Sequence, residues 1–270
     1  MSAVGATELA SVDGLIVPTS QAVLPLRDDG LYRGDGVFEV IRLYGGRPFA
    51  LADHLARLGR SADRIGLKLD REAFERELGA LLEASGASDA QLRVIATRGG
   101  RRILVLEPLA PRAEHVRIAT VTYQPTLILN RVKSLSYAAN MHATRIAKER
   151  GADEAVLVTP EGVVLEPPTS TVFWVGADGV LRTPSLDNPI LDSITRDRII
   201  RAVQVEEGTF HVADLLDASE AFLASTTREV QPVSMIDDAE LRWPGPQTDA
   251  AASAFAQSIT TELAAASGTT

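Results

Sequence analysis

Arg131-Val132-Lys133-Ser134-Leu135-Ser136-Tyr137 stands directly before an apolar run with helical spacing, 138–149. Leu129, Val132 and Leu135 flank the lysine and predict partial burial, which favours the uncharged amine. Alone, such a lysine reads first as a surface residue whose stem crosses an apolar patch. Downstream, Gly162-Val163-Val164-Leu165 has the composition of a strand and ends at Glu166, ahead of Pro167-Pro168. An amine able to lose its proton and a carboxylate at a strand end are the polar groups around which the remaining motifs group.

Outward from this stretch the chain mixes helix and strand in both halves. Residues 15–17 and 37–44 read as strands, Gly45-Gly46 as a hairpin turn and 49–51 as the returning strand. Asp53 is placed to cap a helix carrying Leu55, Leu58, Ala62 and Ile65, and 71–84 is a second helix with Phe74, Leu78, Leu81 and Leu82 inward. Strands are expected at 91–97 and 103–106. Clustered Pro108 and Pro111 cannot donate to a ladder, so the linker falls at 108–114. This predicts a small N-terminal α+β domain, 1–113, and a larger C-terminal α+β domain, 114–270, that carries Lys133. In the second half, strands are expected at 116–122, 154–159, 163–166, 170–175 and 221–224. Helices are expected at 138–149, 195–205, 212–216 and 246–265, and the small-residue tail 266–270 is expected to fray.

Composition narrows the partners. Of 270 residues, 45% are apolar and 23% charged, as in soluble globular proteins, and the net charge is −9. No basic block accompanies that charge, which argues against nucleic acid or an anionic membrane as partner. Arg98, Arg101 and Arg102 form the densest cationic spot in mid-chain, which reads equally as solvated turn charge. The absence of cysteine excludes disulfides and thiolate–metal sites. His54, His115, His142 and His211 lack ligand spacing, so no metal is expected. No secretory pattern is visible at Met1–Ala6 and no apolar run reaches membrane length, so a cytoplasmic location is expected. Gly34-Asp35-Gly36 precedes a strand instead of opening a helix, which makes it a turn and not a dinucleotide loop.

Anion-binding elements complete the pattern. Ile194-Thr195 opens a helix after Leu191-Asp192-Ser193, where free N–H groups and the helix dipole suit a phosphate. Simple helix capping by Ser193 or Thr195 accounts for the same residues. Thr226 and Thr227 follow the strand 221–224 and offer hydroxyl and N–H donors. Arg57, in His54-Leu55-Ala56-Arg57-Leu58, supplies a guanidinium fork or a solvated helix face. Lysine for an aldehyde, glutamate for a ring nitrogen and three phosphate anchors together make a pocket suited to pyridoxal 5′-phosphate. Those groups come from both halves, as expected of a cleft between domains.

The motifs Gly34-Asp35-Gly36-Val37-Phe38-Glu39, His54–Leu58, Lys133-Ser134-Leu135, Leu165-Glu166, Ile194-Thr195-Arg196 and Ser225-Thr226-Thr227-Arg228-Glu229-Val230 resemble those of the class IV, fold-type IV aminotransferases. The group includes D-amino-acid and branched-chain aminotransferases, (R)-amine transaminases and aminodeoxychorismate lyase. The resemblance implies a two-domain α+β homodimer, like D-amino-acid aminotransferase, with pyridoxal 5′-phosphate in the interdomain cleft. Lys133 matches the Schiff-base lysine and Glu166 the ring-nitrogen partner. Arg57, Ile194, Thr195 and Thr226 match phosphate contacts, with Thr227 beside them, and Leu191 matches the residue against one ring face.

The implied reaction is ping-pong transfer of an amino group from a D-amino acid or (R)-amine to a 2-oxo acid such as 2-oxoglutarate or pyruvate. The alternatives are release of 4-aminobenzoate and pyruvate from aminodeoxychorismate, and branched-chain L-amino-acid transamination. Several positions depart from the family pattern. Pro167 and Thr171 replace a common glycine and asparagine, and the branched-chain tyrosine five residues after the lysine is Ala138, one past Tyr137. Phe38 occupies the slot of a carboxylate-binding tyrosine in the D-amino-acid enzymes. Arg42, Arg101 and Arg102 are the candidates for the substrate carboxylate.

Overall fold

Every second residue from Val37 to Leu43 points inward, and this alternation builds the central strand of the N-terminal part. The computed structural model describes residues 8–86 and 89–267. It divides into two units, Met1–Pro111 with Val132–Tyr137, and Arg112–Arg131 with Ala138–Thr270.

In the first unit the elements are β1 (Leu9–Val12), β2 (Leu15–Pro18), α1 (Asp29–Arg33), β3 (Gly36–Tyr44), β4 (Arg47–Pro48), α2 (Leu51–Arg64), α3 (Arg71–Ser85), β5 (Ala90–Thr97) and β6 (Arg102–Glu107). The strands form an antiparallel sheet in the order β2-β1-β6-β5-β3-β4. Val37, Ile41 and Leu43 of β3, Leu92 and Val94 of β5 and Leu104 and Leu106 of β6 pack with Leu58 and Ala62 of α2 and with Phe74, Leu78 and Leu81 of α3. Gly34 ends α1 in the left-handed conformation, φ 67°, so the Gly-Asp-Gly stretch is a helix stop leading into β3. The strand expected at 49–51 is replaced by β4. After the Gly45-Gly46 turn, Arg47 and Pro48 pair with Tyr44 and Leu43 and the Phe49 N–H still reaches the Arg42 carbonyl at 3.0 Å, but the chain then enters α2. Ala50, φ 53°, is then the N-cap of α2, and Asp53 lies in its first turn, where a carboxylate complements the dipole.

Val132–Tyr137 belongs to this first unit. The Phe38 N–H donates to the Lys133 carbonyl at 3.0 Å, and the Leu135 N–H to the Gly36 carbonyl at 2.9 Å. Lys133 therefore sits with the N-terminal sheet and not, as the sequence led us to expect, in the C-terminal domain. β4 pairs only with Leu43 and Tyr44, which leaves the other end of that β3 edge to be satisfied by the lysine segment. Gly36 makes the approach possible, since a Cβ there would lie 2.5 Å from the Ala96 carbonyl oxygen and 2.6 Å from Leu135 Cδ1.

The second unit contains β7 (Val116–Thr122), α4 (Ala138–Glu149), β8 (Glu154–Val158), β9 (Thr171–Val175), β10 (Leu181–Pro184), α5 (Ile194–Ala202), β11 (Glu206–Gly208), α6 (Val212–Leu216), β12 (Glu220–Ser225), β13 (Glu229–Ile236), β14 (Ala239–Glu240) and α7 (Pro246–Ser267). Its sheet runs β11-β10-β9-β12-β13-β7-β8, with β14 on β13. The β7–β8, β7–β13 and β10–β11 pairs are parallel. One core gathers Val116, Ile118, Val172, Trp174, Leu223 and Val233, and another packs Ala143 and Ala147 of α4 on Val121 and Leu157.

Residues 163–166 make isolated bridges, Val164 to Val158 and Val163 to His211, instead of the expected strand. The Gly162 turn, φ 85°, folds this segment straight back on β8. α5 stops at Ala202 because Val203 is already extended, φ −132° and ψ 157°, and so falls short of the expected 205. In the tail expected at 266–270, residues 268–270 lie outside the described residues. Among the described residues, no helix is long and apolar enough to cross a membrane.

Candidate active site

Glu39 breaks the apolar run of β3 on the parity that faces the core, and it is fully buried. Its carboxylate accepts from Arg57 Nε at 2.6 Å and Nη2 at 2.7 Å, and contacts His54 Nδ1 at 2.8 Å. His54 and Arg57 lie three residues apart on α2, a spacing that puts both on one helix face. Burial alone would raise the Glu39 pKa, but the Arg57 charge and hydrogen bonds, with help from His54, overturn this and hold it at about 2. Burial pushes the His54 pKa down, partly opposed by its bond to Glu39 and reinforced by the charges of Arg57 and Lys133. At neutral pH the ring is therefore neutral. Because Glu39 can only accept, Nδ1 carries the proton. The sequence motifs included Glu39 and His54 but gave neither a role, although a carboxylate on the inward parity of β3 was a visible signal.

Lys133 lies beside this group. Its peptide N–H donates to Ser61 Oγ of α2 at 3.2 Å, and its Nζ lies 4.4 Å from the Phe38 ring centroid and 5.9 Å from that of Tyr137. Phe38 and Tyr137 meet edge to face at 5.3 Å, so the amine rests against an aromatic corner. Arg42 is four residues along β3 from Phe38 and shares its sheet face, with its guanidinium 4.7 Å over the Tyr44 ring.

The other two candidate arginines point elsewhere. Arg102 pairs with Ala96 and through it with Val37, which puts it on the helix-covered face, bonded to Glu77 at 2.8 Å. Arg101 bonds to Asp13 at 2.5 Å. Arg101 is thus ion-paired to the β1–β2 turn and Arg102 to α3.

In the second unit, Glu166 Oε1 accepts the Leu191 N–H at 2.8 Å, so the predicted ring-nitrogen partner and the predicted ring-face residue are brought together. The Leu157 N–H donates to the Glu166 carbonyl at 3.2 Å, bracing the glutamate against β8. Ser193 caps α5 by accepting from the Arg196 N–H at 3.3 Å, which leaves Ile194 and Thr195 in the first turn, both buried. Thr226, Thr227 and Arg228 form a three-residue hairpin turn between β12 and β13, closed by the Ser225–Glu229 pair. Glu229, the first residue of β13, is left-handed with φ 57°. Both threonines are half-buried.

The family Amino-transferase class IV matches residues 36–236. The chain belongs to the class IV aminotransferases. It is 34% identical to a protein described as a branched-chain-amino-acid aminotransferase from Methanocaldococcus jannaschii, over 84% of this chain and 87% of that one. It is 31% identical to the D-alanine aminotransferase of Bacillus licheniformis, over 93% of this chain and 97% of that one. A Mycobacterium tuberculosis aminotransferase solved in its PLP-bound form superposes with a TM-score of 0.86 at 25% identity, covering 94% of this chain and 99% of that one. The fold is the two-sheet, mixed α/β arrangement of fold-type IV, and the protein is a pyridoxal phosphate-dependent aminotransferase.

The donor set of this aminotransferase fits that cofactor. In the second unit, a carboxylate braced beside Leu191, a capped helix N-terminus and a pair of turn threonines suit its ring nitrogen and phosphate in chemical type, and in the first unit Lys133 offers an amine of the kind its aldehyde takes. Ser170 Oγ and Thr171 Oγ1, a few residues after Glu166, are buried without a hydrogen-bond partner among the described residues, which is the state expected of hydroxyls reserved for a bound group. No group of histidine and acidic residues among those described is arranged to hold a metal ion.

Proposed function

We propose that this enzyme moves an amino group from a D-amino acid, or an (R)-amine, to a 2-oxo acid such as 2-oxoglutarate or pyruvate. The observation that carries the reading is Ala138, the first residue of α4, where branched-chain enzymes place the tyrosine that bonds the cofactor's ring hydroxyl. The near end-to-end match to a D-alanine aminotransferase supports it. The higher identity of the branched-chain relative favours L-branched donors as the second reading.

When bound, pyridoxal phosphate supplies an aldehyde for the amino group and an electron-poor ring that stabilises negative charge at the substrate Cα. Lys133 takes the proton from that Cα and returns one on the other side of the transfer, as general base and then acid. Glu166, held by the Leu191 N–H, keeps the ring nitrogen protonated. The first turn of α5 at Ile194 and Thr195, the threonines 226 and 227, and Arg57 bind the phosphate, and Leu191 covers a ring face. Phe38 and Arg42, on one sheet face, orient the substrate, with Arg42 taking its carboxylate. The first oxo acid leaves before the second binds, so kinetics are ping-pong.

A homodimer in the cytoplasm fits the same reading. Leu24, Leu26, Leu31 and Tyr32 are exposed apolar residues of one short stretch that a second copy would cover. The test is a screen of cofactor absorbance with D-alanine, (R)-1-phenylethylamine, L-leucine and aminodeoxychorismate added singly. Spectral conversion by D-alanine or the (R)-amine supports the proposal. Conversion by L-leucine alone, or release of 4-aminobenzoate, overturns it.

A further inference from the structure

Glu154 is the charged first residue of an otherwise apolar strand, β8, and only 3% of it is exposed. Its Oε2 accepts from Arg228 Nη2 at 2.6 Å, and its Oε1 from Thr144 Oγ1 of α4 at 2.6 Å. Thr169, from the loop after Glu166, makes a longer contact of 3.4 Å. Arg228 is the third residue of the Thr226-Thr227-Arg228 turn. Its Nη1 also donates to Gln231 Oε1 of β13 at 3.1 Å, and its own N–H to Ser225 Oγ at 3.3 Å. The turn is thus held at one end by its hairpin and at the other by a buried carboxylate on a different strand. The same strand braces Glu166 through the Leu157 N–H. β8 is therefore a common mount for the residue assigned to the ring nitrogen and for the turn assigned to the phosphate.

We infer that Glu154 and Arg228 are positioning residues for the cofactor's phosphate, acting through the backbone and hydroxyls of Thr226 and Thr227. The physical basis is rigidity. A three-residue turn offers donors usable for anion binding only if its peptide groups stay aimed, and here a charge-assisted bond to a buried carboxylate fixes the last residue of the turn. The low dielectric around Glu154 keeps that bond strong, and Thr144 satisfies the carboxylate's other oxygen, so the pair is not left half-bonded. The inference rests on the phosphate-binding role proposed above for Thr226.

The test compares pyridoxal 5′-phosphate with pyridoxal, which lacks the phosphate, titrated into full-length, cofactor-free protein and followed by absorbance. Variants are Glu154→Gln, Arg228→Met, the double variant, and Thr226→Val as the direct phosphate control. For Glu154→Gln and Arg228→Met we expect Kd for pyridoxal phosphate to rise about tenfold or more, the scale for a loosened supporting shell, with pyridoxal affinity little changed. The double variant should bind no more weakly than the worse single one, because both remove the same bond. Equal losses for the two ligands mean a merely structural role and overturn the inference. If Thr226→Val shifts the ratio of the two affinities while Arg228→Met does not, the positioning role fails and the phosphate role stands. If neither shifts it, the phosphate role itself fails and takes the inference with it. Arg228 is partly exposed, so its variant decides the matter should Glu154→Gln not fold.

Discussion

Replacing Glu39 with glutamine removes one charge and leaves the shape of the side chain almost unchanged. In the folded protein that charge has no water to meet. It is shared between Arg57 and the Nδ1–H of His54, at 2.6 to 2.8 Å. The carboxyl's pKa falls from 4.5 to about 2 on folding, and this interval, at roughly 1.4 kcal/mol per pH unit, corresponds to about 3 kcal/mol of stability. The sign follows from proton binding. Between the two values the unfolded chain holds a proton that the folded one refuses, so the stabilisation is complete above 4.5 and is lost as pH falls towards 2.

Glutamine cannot neutralise the buried guanidinium, and orphaning one partner of such a pair costs about 3–5 kcal/mol. Urea unfolding of wild type and Glu39→Gln at pH 7 should therefore differ by at least about 3 kcal/mol. At about pH 3.5 the gap should narrow by roughly 1.4 kcal/mol, because the wild type has begun to lose its advantage and the variant had none to lose. A gap below about 1 kcal/mol at pH 7, or one indifferent to acid, would refute the assignment of Glu39 as the ionised partner that holds Arg57.

Two other substitutions probe the same unit. Gly36→Ala places a methyl 2.5 Å from the Ala96 carbonyl, so denaturant unfolding should show a loss of about 1–3 kcal/mol, together with weaker capture of the aldehyde at Lys133 on borohydride trapping. Full stability and full trapping would mean that the lysine segment does not rely on that close approach. Arg42→Ala should raise KM for the amino donor about tenfold or more, whereas Arg102→Ala, whose guanidinium is bonded to Glu77 on the helix-covered face, should leave KM unchanged. Steady-state kinetics in which Arg102→Ala has the larger KM effect would reverse the choice between them.

Periodic segments were legible because their burial is one-sided and local. The helices Ala138–Glu149 and Val212–Leu216 appear with the expected bounds, since spacing of apolar residues by three and four is a property of the chain itself. β13 was not legible. Gln231, Pro232 and Ser234 break its apolar pattern, yet it lies between β12 and β7. Its proline is tolerated because pairing with β7 begins only at Val233 and then shifts register at Met235. At 163–166 the opposite error arose, because a run of β-branched residues made bridges without becoming a strand.

The chemistry divides along the same line. Lys133, Glu166, the Ser193-capped start of α5 and the paired threonines could be picked out from residue type and neighbours, as each depends on a short stretch of chain. The amino-acid order determined that a lysine, a carboxylate and a capped helix would exist, and that the family would be the class IV aminotransferases. Only tertiary structure decided that Arg57 is clamped by Glu39, that Arg102 faces away from Phe38, and that Glu154 reaches Arg228 from 74 residues away. Strand register and burial set those pairings, and neither is encoded in local spacing. Which charges meet out of reach of water depends on which distant strands lie side by side.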